Sequence, residues 1–191
     1  MSYSIIAAIG RKNELGKQGG LCFNIPGDLK YFKKVTNGHT VVMGSNTFFS
    51  LPKMLPNRKH IVLSGHGGEF PDGVIVYKNM DDLFRDYPLN SKEEIFVIGG
   101  GRVYASFLEY ANKLYLTEVD AEDADADTFF ANFNKDLYKK ESRGEGKDGD
   151  LSYEFVVYTK KEALWSNFSQ RWNYMIIERI LYGKRYYIWF N

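Results

Sequence analysis

The chain has 191 residues, 44% hydrophobic and 26% charged, which fits one folded domain and excludes the disordered and collagen-like classes. Its 25 Lys and Arg against 24 Asp and Glu leave a formal charge of +1, too even to point to nucleic acid or an anionic membrane surface as partner. The single cysteine, Cys22, cannot close an internal disulfide, and no secretory leader or run of roughly 18 apolar residues is visible, so a reducing, cytoplasmic setting is expected.

In chain order, short β-branched runs alternate with helical patterns. Ser4 to Ile9 reads as a strand, and Pro26 to Thr36 as a helix with a proline in its first turn. Thr40 to Met43, His60 to Leu63 and Val74 to Tyr77 read as strands, followed by a helix over Met80 to Tyr87 that opens on Asp81 and Asp82. Ile95 to Ile98 is apolar on both faces, runs into Gly99-Gly100-Gly101, and hands over to a helix over Arg102 to Tyr110. Lys113 to Val119 is the next strand. Phe133 to Glu141 and Leu151 to Thr159 then read as an antiparallel hairpin joined by a mobile polar loop over residues 143 to 150. The alternation predicts an α/β fold with a mostly parallel, helix-flanked sheet and an antiparallel C-terminal hairpin.

Two places along this order carry chemistry. Asp28 opens the first helix, and Asp28, Phe32 and Val35 share one helical face, so a carboxylate and an aromatic ring project together. An acidic first-turn residue is equally what a helix dipole favours above an amphipathic stripe. The three glycines between a buried strand and a helix expose backbone N–H groups at a helix start, a ready anion site; a tight turn needing positive φ is the plainer account.

Taken together, the stretches Ile6-Ala7-Ala8, Leu21 to Leu29, Val42-Met43-Gly44, Thr47, Leu55-Pro56-Asn57-Arg58, Leu63-Ser64, Ile98 to Tyr104 and Leu114 to Thr117 resemble the dihydrofolate reductase family in order and spacing over residues 1 to 161. That resemblance implies hydride transfer from NADPH to C6 of 7,8-dihydrofolate, with a proton delivered to N5 to give tetrahydrofolate. Asp28 would accept from the amidine-like edge of the pterin and favour N5 protonation through a water admitted past Leu21 and Phe23, with Thr117 hydrogen-bonded to it. Carbonyls of Ile6 and Ile98, with Ala7, would line the pterin end. Leu29, Phe32, Leu51 and Leu55 would wall the benzoyl part, and Arg58 would fork onto the glutamate carboxylate. Ala8 would meet the nicotinamide carboxamide, and Tyr104 would stand beside the ring. Gly100, Gly101, Arg102 and Val103 would hold the pyrophosphate side with Thr47; Ser64, Gly65 and His66 would take the adenosine phosphate, and Gly44, Ser45 and Ile98 would also meet the cofactor. The implied ligands are dihydrofolate and antifolate-like molecules. A pteridine or pyrimidine reductase on the same scaffold, and an idle folate- or nucleotide-binding protein that assembles through its tail, are the alternatives.

Departures from the family pattern are Phe23 in place of a frequent Trp, Cys22 in place of Pro, and Ala126 where a mobile loop often has Gly. Ser45 stands where the family often has an Arg for the 2′-phosphate, so a weaker preference for NADPH over NADH is expected. Gly144 to Gly149 matches G-x-G-x-x-G but lacks the strand before it and helix after it. Asp123, Asp125 and Asp127 alternate like a calcium loop without its glycine, and His39, His60 and His66 have no ligand spacing, so no metal is expected.

Residues 162 to 191 fall outside the resemblance. Within them, residues 163 to 191 hold all three tryptophans, Trp165, Trp172 and Trp189, and four basic residues against Glu178 alone. Leu164 to Tyr182 reads as an amphipathic helix, and Lys184 to Phe190 as strand-like. This extension is expected to dock on the body or to pair two copies as a homodimer, because large exposed aromatic patches are rare on soluble monomers.

Overall fold

The computed structural model describes residues 3–161. The expectations for the C-terminal extension lie outside the described residues. In chain order the elements are β1 (Tyr3–Ile9), β2 (Glu14–Lys17), β3 (Gly20–Leu21), α1 (Pro26–Thr36), β4 (Thr40–Gly44), α2 (Ser45–Ser50), β5 (Lys59–Leu63) and β6 (Val74–Tyr77). They continue as α3 (Met80–Asp86), β7 (Ile95–Gly99), α4 (Gly101–Phe107), β8 (Lys113–Val119), β9 (Thr128–Phe129), β10 (Tyr138–Asp148) and β11 (Leu151–Lys160). Eight strands form one sheet in the order β10-β11-β8-β1-β7-β4-β5-β6, parallel from β8 to β6 and antiparallel at the C-terminal hairpin. A small second sheet joins β3, β2 and β9.

The continuous apolar runs are explained by helices on both sides of the sheet. Ile95, Val97, Leu114 and Leu116 point to the face covered by α3 and α4, where they pack with Leu83, Tyr104 and Phe107. Ile6, Val41, Met43, Val62 and Phe96 alternate onto the other face, under Phe32 and Val35 of α1 and Phe48 of α2. Fully burying one such side chain contributes roughly 1.5–3 kcal/mol, so these two layers hold the sheet in place.

The chain runs outward from β1 to β4, β5 and β6, then returns to insert β7 between β1 and β4. Neighbouring strands therefore lead away in opposite directions at β1 and β4, and the carboxyl ends of a parallel sheet open a crevice at such a point. The registers Met43↔Gly99 and Ala8↔Thr117 bring Gly44, Gly99, Ala8 and Thr117 to that same end.

The polar run over residues 143 to 150 is not a mobile loop. The ladder continues to Asp148↔Leu151, closed by a two-residue turn with Gly149 at φ 59°. Its glycines have structural duties: Gly144, at φ 125°, takes the bulge, and a Cβ on Gly146 would lie 2.5 Å from the Tyr153 ring. The charges suit β10 because it is an edge strand, where charged side chains discourage pairing with another chain.

Asp123, Asp125 and Asp127 fasten the β2–β3 segment. Lys17 reaches Asp125 at 2.8 Å and Asp123 at 3.4 Å, the Gln18 N–H donates to Asp127 at 2.7 Å, and the Asp127 N–H donates to the Gly16 carbonyl at 3.0 Å. Among the described residues no helix is long and apolar enough to cross a membrane.

Candidate active site

Asp28 stands in the first turn of α1, and Thr117 on β8 beside Ala8 of β1. The Thr117 hydroxyl donates to Asp28 Oδ1 at 2.6 Å, a length typical of a charge-assisted O–H···O bond. Burial pushes the Asp28 carboxyl above the ordinary carboxylate range, and the Thr117 hydrogen bond partly opposes that rise. Among the described residues no Lys or Arg pairs with Asp28, so the carboxylate is available to an incoming cationic or donor-rich edge.

The first turn of α1 is held from the C-terminal hairpin. Asp148 Oδ2 accepts the Gly27 N–H at 2.8 Å and the Tyr153 hydroxyl at 3.0 Å. A side chain at 27 would run into that hydroxyl, because a Cβ there would lie 2.0 Å from it.

The turn that ends β7 lies at the same end of the sheet as Thr117. Gly99 adopts φ 138°, and the Gly99–Gly100 peptide is cis. Cβ atoms on Gly99 and Gly100 would come within 3.2 and 3.1 Å of Thr47, and one on Gly101 within 2.9 Å of Thr128. Gly44 is similarly close to Val103, at 3.2 Å for a built Cβ. The glycines thus leave a side-chain-free cradle between α2 and α4, rimmed by Thr47. Tyr104 closes one side: its buried hydroxyl donates to the Ile6 carbonyl at 2.8 Å. Burial drives that hydroxyl's pKa upward and the nearby Asp28 charge adds to the rise, so it remains a neutral donor. Ile6 and Ala7 are buried beneath this site, and Ile98 packs in the same apolar layer as Phe32 and Leu51.

Arg58 is at the far end of α1. Its guanidinium donates to the carbonyls of Lys33 and Pro56, each at 2.8 Å, and to Thr36 Oγ1 at 3.1 and 3.2 Å. Thr36 lies eight residues beyond Asp28, about 12 Å along the helix. A carboxylate and a guanidinium therefore bracket an apolar wall of Leu29, Phe32 and Leu51, with Leu29 half exposed.

Other predicted residues are placed differently. Leu21 is exposed on β3, whereas Phe23 buries its ring with Ile25, Val119 and Tyr153. Ser64 is buried and donates its hydroxyl to the Gly67 carbonyl, leaving Gly65 and His66 exposed on that turn. Ser45 is half-buried at the first position of α2, and Arg102 is exposed on α4. A polar concavity beside β1 and the hairpin is lined in part by Arg11, Glu118, Asp120 and Lys135, which pair as Arg11–Asp120 and Lys135–Glu118.

Compared with known proteins, residues 2–160 match the family described as Dihydrofolate reductase. The chain belongs to the dihydrofolate reductase family. It is 35% identical over 163 residues to the dihydrofolate reductase of Bacillus subtilis, covering 84% of this chain and 95% of that one. Against the dihydrofolate reductase of Haemophilus influenzae it is 34% identical over 167 residues, 84% of this chain and all of that one (100%). A third relative, the dihydrofolate reductase type 3 of Salmonella typhimurium, is 39% identical over 133 residues, 70% and 80% of the two chains.

The mostly parallel sheet with its antiparallel C-terminal hairpin is the dihydrofolate reductase fold, as the sequence resemblance implies. Membership makes this chain an oxidoreductase that draws on a nicotinamide cofactor. The glycine cradle and its Thr47 rim suit the diphosphate of such a cofactor, because a phosphate can approach backbone N–H groups that no Cβ shields. Sequence reading placed Gly99 in the three-glycine anion site but left it out of the residues that the resemblance assigns to the cofactor. It also overlooked the tether of Asp148 to Gly27, for which no local signal exists.

Proposed function

We propose that this dihydrofolate reductase reduces 7,8-dihydrofolate with NADPH as the favoured hydride source, using Asp28, Thr117 and Arg58 to place the substrate. The observation that carries this reading is the bracketed cleft: a buried, cation-free carboxylate at one end of α1, a tethered guanidinium at the other, and the glycine cradle at the same end of the sheet as Thr117. The pterin and the glutamate of folate are the two polar ends that such spacing suits. Bound NADPH supplies the hydride.

The chain's own residues orient the acceptor and manage the proton. Asp28 Oδ2, left free by the Thr117 bond to Oδ1, accepts from the pterin amidine edge. Its raised proton affinity favours protonation at N5, which solvent reaches past the exposed Leu21. Diaminopyrimidine antifolates carry the same donor edge and dock on the same carboxylate. The apolar wall excludes water from the reacting carbons, and the ordering of donor and acceptor is the main source of rate. Division of the chain into a reductase body and an appended extension near residue 161 belongs to this reading; the family match ends at residue 160.

The direct test is oxidation of NADPH followed by absorbance, with and without dihydrofolate; no substrate-dependent oxidation would refute the reading. Two variants test its parts. Thr117→Val removes the donor that stabilises ionised Asp28, so the apparent pKa in the pH profile of kcat/KM moves upward and kcat/KM falls about tenfold. An unmoved profile would take Asp28 out of the titration.

For the cofactor, Ser45 brings no charge and the Ser64 hydroxyl is occupied by Gly67. The preference for NADPH over NADH is therefore modest, and Ser45→Arg raises the ratio of their kcat/KM values about tenfold, the worth of one charged hydrogen bond to phosphate. A very large preference in the parent protein would overturn this expectation.

A further inference from the structure

We propose that His60 is a positioning residue for substrate, its imidazole fixing the turn that carries Leu55 and Arg58. His60 lies on β5 at 1% exposure, on the same face as Val62, which packs in the layer that includes Phe32, Phe48 and Leu51. The ring stands edge-to-face with Phe48, at a centroid separation of 6.4 Å. Its Nε2 accepts the Leu55 N–H at 3.1 Å, which places the ring proton on Nδ1.

Nδ1 is buried and has no acceptor in hydrogen-bonding geometry. Native interiors seldom leave a donor in that condition, and an aliphatic side chain would fill the site without the cost. The contact made by the other nitrogen is what the imidazole supplies. Burial holds its pKa down, with the Arg58 backbone opposing, so the ring remains a neutral acceptor near neutral pH. The Nε2 bond therefore fixes the Leu55 end of Leu55-Pro56-Asn57-Arg58, a turn whose Asn57 sits at φ 59° and which leads directly into β5 through Arg58.

This turn is tied to α1 and to the residues just after it: Arg58 donates to the Lys33 carbonyl, and the Asn57 carbonyl accepts the Gly38 N–H at 2.9 Å. From the sheet, the His60 ring holds it through the Leu55 N–H. Losing that hold frees Leu55 and Arg58 to drift from the benzoylglutamate end of folate while leaving Asp28, Thr117 and the glycine cradle untouched. The inference rests on the reading of Leu55 and Arg58 as the grip on that end.

The experiment uses the full chain with His60→Met, which has no comparable acceptor, and His60→Gln, whose amide oxygen reaches the place of Nε2. His60→Met raises KM for dihydrofolate about tenfold, with kcat and KM for NADPH within about twofold, and His60→Gln recovers most of the loss. With a dihydropterin lacking the benzoylglutamate tail, the parent and both variants have equal KM. An unchanged KM in His60→Met, an equal rise with the tail-less substrate, or no recovery in His60→Gln overturns the proposal.

Nitrogen NMR of the parent ring at pH 7 decides the contact even where a variant does not fold. A neutral ring protonated on Nδ1 is expected, and an imidazolium or a proton on Nε2 overturns it. A parent protein without dihydrofolate-dependent activity would refute the functional reading, whereas the NMR result bears on His60 alone.

Discussion

Asp28→Asn lowers kcat/KM for dihydrofolate by roughly 10²–10³-fold, the worth of a positioned acid–base group. Asparagine can still accept from Thr117, but it presents no charge to the pterin edge and holds no proton for N5. The loss is larger than that of Thr117→Val because the threonine only tunes the carboxylate. A variant retaining more than about a tenth of the parent kcat/KM would remove Asp28 from the proton step, since loss of a general acid costs at least about 10²-fold.

The same substitution raises thermal stability at neutral pH. Burial raises the folded-state pKa of Asp28 above its unfolded value, so the folded protein binds the proton more tightly. Stability therefore falls as pH climbs from the ordinary carboxylate range through the raised pKa, and the deficit is constant above it. Asparagine carries no such deficit. The variant melts higher than the parent at neutral pH, and the two converge as pH is lowered toward the ordinary carboxylate range. A lower melting temperature in the variant at pH 7 would contradict the burial account of Asp28.

Gly99→Ala is the second large effect. Its φ of 138° lies where L side chains rarely go, at a cost of about 1–3 kcal/mol. For a domain of this size that lowers the melting temperature by roughly 2–10 °C. The new Cβ would also press on Thr47 from 3.2 Å, displacing the rim of the cradle, so kcat/KM for NADPH falls by about 10²-fold. Gly38→Ala separates the two consequences: Gly38 has φ 80° and open space where a Cβ would go, so it loses stability without losing cofactor efficiency. Equal losses of NADPH efficiency in both variants would show that strain, not the contact with Thr47, is responsible.

The legibility of the fold follows its physics. Runs such as Ile95 to Ile98 were readable because a strand covered on both faces has no polar alternation to confuse it. The six residues of α2 have no side-chain cap, and the two residues of β3 and of β9 hold their places through pairing with β2. Such elements are stabilised by tertiary contacts that no short window contains. The end of β10 was misread because Gly144 and Gly146 are ordinarily loop residues; here one takes a bulge and the other makes room for Tyr153.

Sequence by itself determined the sheet's strands, the helix that opens on Asp28, the three-glycine turn and the resemblance that joins them. These are local patterns of burial and backbone freedom, written in neighbouring residues. The resemblance already implied the bond from Thr117 to Asp28, 89 positions away; tertiary structure alone decided that Tyr104 reaches the Ile6 carbonyl across 98 positions and that Asp148 secures Gly27 across 121. It also decided that Ser64 turns inward to Gly67 and that His60 reaches Leu55. Strand register and the crossing of α1 over the sheet set those distances. A shift of one residue in register would send each strand side chain to the opposite face, so the chemistry of the cleft depends on the packed whole.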